Sequence, residues 1–220
     1  VLIILTQGGF SDDEISVITD YVRFGGSLLI LPPLNITTEY NNLLKKFGFE
    51  TLGAVKDNVS YYENEEYVLL KGTWRNVTIF NGVESLLIVN GTALNYTGNI
   101  EILEEWNIDQ QISLDNVTNI STVFVDELIW GNNSTMVEYK RGEFLYGENV
   151  SLCYIQELWF GGRIVVLSSS LMFEDSFIVS EDHDNIKFLE NLILWLGDQI
   201  NYLGITNVRI EPTIRTINVN

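Results

Sequence analysis

The first 31 residues, VLIILTQGGFSDDEISVITDYVRFGGSLLIL, contain the signals for a strand, a helix and a second strand. Residues 1–5 form a continuous apolar run, which is typical of a strand buried on both faces of a parallel sheet. Ser11 stands before three acids, as in a capping box at a helix N-terminus. Gly25 and Gly26 end the helix, and residues 27–31 form a second buried strand. This order predicts an α/β unit with parallel strands.

The α/β pattern continues beyond this unit and returns near the end of the chain. Residues 38–47 are predicted to form a second helix, with Thr38 as its cap. Residues 163–167 form another buried apolar run, and residues 185–196 follow as a helix with Asp184 as its cap. The predicted apolar face of this last helix consists of Ile186, Leu189, Ile193 and Leu196, widened by Phe188, Leu192 and Trp195.

The centre of the chain, residues 50–160, has a different pattern. Short β-like runs alternate with turn residues such as Asn81-Gly82 and Asn90-Gly91. Only the stretch 101–106 is predicted to be helical there. The fold class is therefore α/β, a mostly parallel sheet flanked by helices with an added or inserted β-rich region. The runs that define this region are 67–70, 86–89, 123–125, 136–139 and 150–154.

The predicted domain organisation is one α/β domain over residues 1–204. Residues 205–220 alternate apolar and polar positions, which predicts one or two strands leading to a following β module. The apolar run at residue 1 and this C-terminal segment together suggest a piece of a longer, anchored chain. No apolar run is long enough to span a bilayer, so no direct membrane insertion is predicted.

Composition excludes several classes of function. The formal net charge is −18, which argues against nucleic acid as a partner. Cys153 is the single cysteine, so there is neither an internal disulfide nor a multi-cysteine metal site. His183 is the single histidine, which excludes poly-histidine zinc sites. No cofactor is predicted.

Asparagines in the pattern Asn-X-Ser/Thr are more frequent than chance allows. There are ten such sequons, whereas random placement of these residues gives about three. They predict an N-glycosylated surface outside the cytosol. Dense sequons, strong acidity and a single cysteine together favour an archaeal cell-surface protein. The predicted glycosylation sites are Asn35, Asn58, Asn76, Asn90, Asn95, Asn116, Asn119, Asn132, Asn133 and Asn149.

Three stretches carry a family resemblance: residues 21–30, residues 161–177 and the closing helix with Trp195-Leu196. Together they resemble the catalytically dead branch of the class I glutamine-amidotransferase-like fold. That branch includes the domain shared by gliding-motility protein G and an intraflagellar-transport subunit, and the 48 kDa subunit of oligosaccharyltransferase. The resemblance covers about 80 residues at the two ends and implies an amidotransferase-like, flavodoxin-like sheet without catalysis.

The candidate nucleophiles depart from catalytic patterns. An active amidotransferase needs a cysteine in a Gly-X-Cys-X-Gly elbow, whereas Cys153 lies inside an apolar run and is predicted to be an inert, packed thiol. Ser168, Ser169 and Ser170 end a buried strand and could use His183 as a base, but no Gly-X-Ser-X-Gly surrounds them. The favoured interpretation is that these serines turn the chain.

An acidic cluster lies between residues 174 and 184. Asp175, Asp182 and Asp184 are weak candidates for a calcium site, because dense carboxylates bind hard cations. Their spacing does not match a calcium-binding loop, and the favoured interpretation is a solvated loop before a helix. No metal is therefore assigned.

The functional expectation is a non-enzymatic, extracellular glycoprotein domain with a scaffolding or protein-interaction role in a larger cell-surface or membrane-anchored protein. Its expected partners are N-linked glycans and other subunits or domains of a surface or membrane assembly. Three alternatives remain. They are an accessory, non-catalytic subunit of an oligosaccharyltransferase-like complex, a structural subunit of an archaeal surface layer or filament, and a serine hydrolase.

Overall fold

The computed structural model describes residues 1–5, 8–33, 36–101, 123–158, 161–178 and 180–197. Over these residues the helices are α1 (Asp12–Arg23), α2 (Thr38–Lys46), the short α3 (Asp175–Ile178) and α4 (Asn185–Leu196). The strands are β1 (Leu2–Ile4), β2 (Leu28–Ile30), β3 (Phe49–Asp57), β4 (Tyr61–Tyr62), β5 (Asn64–Leu70), β6 (Leu86–Val89), β7 (Thr92–Tyr96), β8 (Val123–Trp130), β9 (Thr135–Lys140), β10 (Glu143–Tyr146), β11 (Ser151–Leu158) and β12 (Arg163–Leu167).

Of the three predicted helix caps, that of α1 is present as predicted, whereas Asp184 precedes α4 but makes no capping hydrogen bond with its side chain. Ser11 and Glu14 form the full capping box of α1, with the Ser11 hydroxyl accepting from the Glu14 N–H at 3.3 Å. Hydrogen bonds from Ser11 lower the pKa of the Glu14 carboxyl. The cap of α2 is Thr37 and not Thr38, because the Thr37 hydroxyl accepts the N–H of Tyr40 at 3.2 Å.

The large sheet is mixed, which corrects the prediction of a mostly parallel sheet. Its strand order is β1-β2-β12-β11-β7-β3-β9-β10, and β8 also pairs with β11. Among the strand pairs of the described residues, only β1 with β2 and β2 with β12 are parallel. The other pairings are antiparallel because the β-rich centre joins the sheet through strands that fold back on one another. Strands β4, β5 and β6 form a separate antiparallel sheet.

Two hydrophobic cores lie on opposite faces of the large sheet. Successive residues of a strand point to opposite faces, so Leu28 and Ile30 pack with α1 and α2, whereas Leu29 packs on the other side. On that second face the cover consists of α4 and the three-stranded sheet. The domain therefore has three layers, and the predicted α/β class is confirmed.

Two details of the predicted packing are wrong. β1 is not buried on both faces, because it lies at the end of the large sheet, where Leu2 and Ile3 are exposed. In α4, Ile186 is exposed, and the buried positions include Asn185 and Asn191. These two amides bind backbone groups on neighbouring segments, so the helix presents a different face to the core.

The described residues include no helix long and apolar enough to cross a bilayer. The stretch predicted to be helical beyond Glu101 and the C-terminal segment 205–220 lie outside the described residues. The proposed boundary at residue 204 therefore stays a prediction.

Gly162 sets the approach of α1 to the sheet, and replacing it by alanine is expected to destabilise the domain. A Cβ at this position would lie 2.6 Å from the carbonyl oxygen of Val22, a backbone atom within the buried part of α1. We expect Gly162→Ala to lower the free energy of unfolding by about 1–3 kcal/mol, as overpacking does.

Chemical denaturation of Gly162→Ala measures this loss, and Gly98→Asn serves as the matched control. Gly98 has a φ of +79° with open space around it, and asparagine tolerates that conformation. A Gly162→Ala variant as stable as the control would contradict the close approach.

Candidate functional site

Cys153 lies inside β11, with strands on both sides of it. It pairs with Leu167 of β12 and with Ile129 of β8, and its thiol is fully buried. Burial raises the pKa of the thiol, and the charge of Glu127 raises it further, so the thiolate is strongly disfavoured. The structure places Cys153 where the sequence predicted a packed strand residue.

The three serines after β12 are held by backbone contacts. Ser169 donates its hydroxyl to the Val89 carbonyl and accepts the N–H of Leu171 at 3.1 Å. The backbone of Ser168 bonds to Leu152 and Thr92. These bonds turn the chain at the end of the strand, as the favoured interpretation of the serines expected.

The serines and His183 lie at opposite ends of β6. Ser169 contacts Val89 at one end, whereas Asp184, next to His183, bonds the Ser85 N–H at the other. At about 3.3 Å per residue these ends are roughly 13 Å apart. Both ring nitrogens of His183 are without a hydrogen-bond partner. The described residues therefore do not assemble a serine-histidine pair.

His183 is buried, with 4% of its surface exposed. Burial lowers the pKa of this imidazole below its ordinary 6.5, and the neighbouring Asp182 and Asp184 oppose that shift only in part. A ring with two unpartnered nitrogens is costly to protonate in place. His183 is therefore a potential source of acid sensitivity in the fold.

The acidic candidates for a metal site bind protein groups and do not converge. Asp184 accepts the N–H groups of Glu84 and Ser85 at 2.8 and 3.0 Å. Asp182 accepts the hydroxyl of Tyr62 at 3.2 Å, and Asp175 is exposed at the start of α3. Among the described residues, no three His, Cys, Asp or Glu side chains are placed to share an ion. Asp182 and Asp184 are therefore engaged in hydrogen bonds within the protein.

Asp184 and Asn185 together cover the free edge of β6. Asn185 exchanges two hydrogen bonds with the backbone of Leu87, both at 2.9 Å, and donates a third to the Met172 carbonyl. The Asp184 N–H donates to the Ser85 carbonyl at 2.9 Å. Two side chains at the start of α4 thus take the place of a neighbouring strand and join the small sheet to the helix.

The most elaborate polar cluster is centred on Asp57, which sequence analysis missed. This carboxylate ends β3, is fully buried, and accepts five hydrogen bonds. Two come from its own turn, two from the segment before β9 and one from Thr135, the first residue of β9. The donors are the N–H groups of Val59 (2.9 Å) and Ser60 (2.8 Å), the amide of Asn132 (3.4 Å) and the hydroxyls of Ser134 (2.7 Å) and Thr135 (2.8 Å).

At Asp57, hydrogen bonding lowers the pKa of the carboxyl by more than burial raises it. Burial alone would raise the pKa of the carboxyl, yet the bonds from Ser60, Ser134 and their neighbours hold it below the ordinary 3.8. The charge is thus retained inside the domain and joins two distant segments. The signal in the sequence was weak, because an aspartate that ends a strand and is followed by Asn-Val-Ser predicts only a turn.

The described sequons differ in accessibility. Asn58, Asn76, Asn133 and Asn149 are exposed. Asn90, Asn95 and Asn132 are half-buried; Asn95 donates to the Glu50 carboxylate at 2.7 Å, and Asn132 to the Leu69 carbonyl at 3.0 Å. Asn35, Asn116 and Asn119 lie outside the described residues.

Comparison with solved structures identifies the fold. It is similar to that of the mmIFT52 N-terminal domain. The TM-score is 0.60 and the identity is 17%, and the match covers 88% of this chain and 75% of that one. The chain matches no protein family and no curated protein. At this identity the likeness to the mmIFT52 domain concerns the fold alone, and it agrees with the intraflagellar-transport part of the sequence resemblance.

Replacing His183 is expected to remove an acid-sensitive part of the stability. With its pKa lowered in the folded state, His183 contributes stability fully above pH 6.5, and this contribution is lost as the pH falls below 6.5 through the folded pKa. We expect His183→Leu to flatten the unfolding free energy between pH 7.5 and about 5.

Urea denaturation at several pH values measures this slope, with Glu127→Gln as the control. Burial raises the pKa of Glu127, so that carboxyl favours the folded state as the pH falls and has the opposite sign. His183 is the sole histidine, so an unchanged slope in His183→Leu would contradict its assignment.

Replacing Asp57 is expected to destabilise the domain at neutral pH. In Asp57→Asn an N–H group would face the donors Asn132 and Thr135, which costs about 1–3 kcal/mol for buried unpaired groups. Because the folded pKa of Asp57 lies below 3.8, its stabilisation is present above that pH and is lost as the pH falls through the folded value.

Denaturation of Asp57→Asn and of the wild type at pH 7 and at pH 3 tests both statements. The difference between their free energies of unfolding should be smaller at pH 3. Asp20→Asn is the control, since the half-exposed Asp20 pairs with Arg23 near the surface and should cost less than about 1 kcal/mol. Equal losses in the two variants would show that the Asp57 cluster does not stabilise the fold.

Proposed function

We propose that this chain is a non-enzymatic domain of an extracellular, N-glycosylated surface protein, in which it serves scaffolding or protein interaction. One observation carries the proposal. The four exposed described sequons, Asn58, Asn76, Asn133 and Asn149, all follow or connect strands of the β-rich centre. None of the described sequons lies on β1, α1 or β2, and Asn35, which follows β2 in the sequence, is outside the described residues.

The chemistry of the candidate nucleophiles supports a role without catalysis. Cys153 is buried with its pKa raised, and the hydroxyl of Ser169 is bonded to the Val89 carbonyl. A hydrolase needs a nucleophile, a base and an orienting group within hydrogen-bond reach of one another. His183 has no such partner, which favours a binding role for the domain.

We also propose that the domain belongs to the degenerate amidotransferase-like group and to an archaeal surface protein. The fold likeness to the mmIFT52 N-terminal domain supports the first part. The net charge of −18 and the ten sequons support the second, because a charged, glycan-bearing surface keeps an exposed protein soluble. Its partners would be other subunits or domains of a surface assembly.

The proposal is tested by the intact mass of the native protein, before and after glycan release. For the polypeptide of this segment the expected mass is 25.1 kDa, and sugar on several asparagines would add to it. Native material with an unmodified mass would refute the extracellular glycoprotein assignment.

Site mapping is expected to distinguish two adjacent sequons. The amide nitrogen of Asn132 donates to the Leu69 carbonyl inside the fold, so a sugar on that nitrogen would disrupt the contact. Asn133 is exposed, with room for a glycan. We expect glycopeptides from the folded native protein to carry sugar on Asn133 and none on Asn132.

Asn58 is the comparison site, because it is exposed and follows Asp57 directly. Modification of Asn132 at the level of Asn58 would contradict the buried contact of its amide.

A further inference from the structure

Two aromatic rings lie exposed on β10, close to a sequon. Phe144 and Tyr146 are 44% and 53% exposed, and their ring centroids are 6.2 Å apart. The two residues are spaced i and i+2 along the strand, so their side chains point to the same face of the sheet. Leu145 between them packs against the core on the other face. The two rings, called the aromatic pair below, form a candidate contact surface on a strand.

The surroundings of the aromatic pair are acidic. Across β9, Phe144 lies opposite Glu138 and Tyr146 lies opposite Met136. Glu138 is exposed, and so is Glu148 in the turn after β10. A second copy of this chain, with its net charge of −18, would meet like charge here. The surface instead suits an occupant with apolar C–H groups for the rings and hydroxyl donors for the carboxylates, which is the chemistry of a sugar.

The sequon at Asn149 is in direct contact with this strand. The Asn149 amide donates to the Tyr146 carbonyl at 3.4 Å, and Asn149 is exposed. An asparagine amide has two N–H groups, so one can keep this bond while a sugar replaces the hydrogen of the other. Asn132 differs, because its amide donates to both Asp57 and Leu69. The first sugar on Asn149 therefore starts beside the residue that carries one of the exposed rings.

A short turn holds Asn149 in this position. Residues Gly147–Asn149 form a single helical turn after β10, closed by the N–H of Val150, which donates to the Gly147 carbonyl at 3.0 Å. Val150 is fully buried, which anchors the end of the turn. Gly147 has a φ of +61° and is buried, and a Cβ there would lie 3.6 Å from the Cα of Asn133. The turn is thus packed against a neighbouring loop, and the attachment point is fixed relative to β10.

We propose that the N-linked glycan of Asn149 folds back onto β10, with its first sugars packed on the rings of Tyr146 and Phe144. The face of an aromatic ring is electron-rich and attracts the C–H groups on one face of a sugar ring. Hydroxyl groups of the same sugars donate to the carboxylates of Glu138 and Glu148. The glycan thereby covers an apolar surface of the domain. This inference rests on the proposed N-glycosylation and gives it a structural role at one site.

A double-mutant cycle in the native, glycosylated protein tests the packing. Asn149→Gln removes the glycan, and Tyr146→Ala removes the ring but keeps the carbonyl that Asn149 bonds. We expect loss of the glycan to lower the folding equilibrium constant about two- to tenfold in the wild type, as loss of an aromatic contact does, and to have little effect in Tyr146→Ala. Tyr146→Phe keeps the ring and should keep this dependence. Chemical denaturation measures all four proteins of the cycle.

Asn76→Gln is the matched control. Asn76 is an exposed sequon, and its neighbour Arg75 bonds Leu128 of β8, so its glycan starts from a different strand. The effect of Asn76→Gln should be the same with and without the ring of Tyr146.

NMR of the glycan on the wild-type protein provides the second measurement. Sugar protons above an aromatic ring should be shifted upfield in the folded protein and return to ordinary positions on unfolding. Either unshifted sugar protons or additive losses in the cycle overturn the packing. An unmodified Asn149 on a protein with sugar elsewhere also overturns it, and both results leave the proposed glycoprotein function standing. Native protein without sugar at any site overturns the packing and the proposed function together.

Discussion

The burial of β2 and β12 on both faces is the constraint on which the rest of the structure depends. Every residue of β2 is fully buried, and its neighbours in β12 are nearly so. A strand without a solvent face needs cover above and below, because apolar side chains alternate between the two sides. Helices α1 and α2 supply one cover, and α4 with the small sheet supplies the other. The three layers follow from these two strands.

Polar side chains join these layers where apolar packing alone would leave backbone groups unpaired. Asn191 donates to the carbonyls of Ile79 and Asn81, and Gln156 donates to that of Phe47. Asp184 and Asn185 form hydrogen bonds with the edge of β6, and Asp57 accepts the hydroxyls of Ser134 and of Thr135 at the start of β9. Buried polar groups of this kind are costly unless paired, so each one fixes the relative position of two segments.

The sequence predicted local structure well wherever one segment contains its own signal. The capping box of α1 and the bounds of α4 are both visible in a few neighbouring residues. The β-rich centre was predicted as strands, but its attachment to the sheet was not, because pairing direction depends on partners far along the chain. The prediction of a mostly parallel sheet extended the parallel pairing of β1 and β2 to other strands, but those strands pair antiparallel.

The candidate site was less predictable than the fold, for a related physical reason. Cys153 was placed correctly because an alternating apolar run is enough to predict burial. The Asp57 cluster could not be found in the same way, since three of its five donors lie in a segment some 75 residues away. Likewise, Ile186 was expected in the core because its apolarity is visible in sequence, whereas the bonds of Asn185 and Asn191 are not.

The pairing of β2 with β12 has a consequence for the order of folding. Leu28 lies beside Ile164, so two adjacent strands of the sheet come from opposite ends of the described chain. During synthesis β1, α1 and β2 emerge first, but the apolar side of β2 that faces α4 stays uncovered until β12 and α4 have emerged. The hairpin of β9 and β10 joins neighbouring residues and can form much earlier. Completion of the domain is therefore expected to be a late event, with an apolar face of β2 exposed until then.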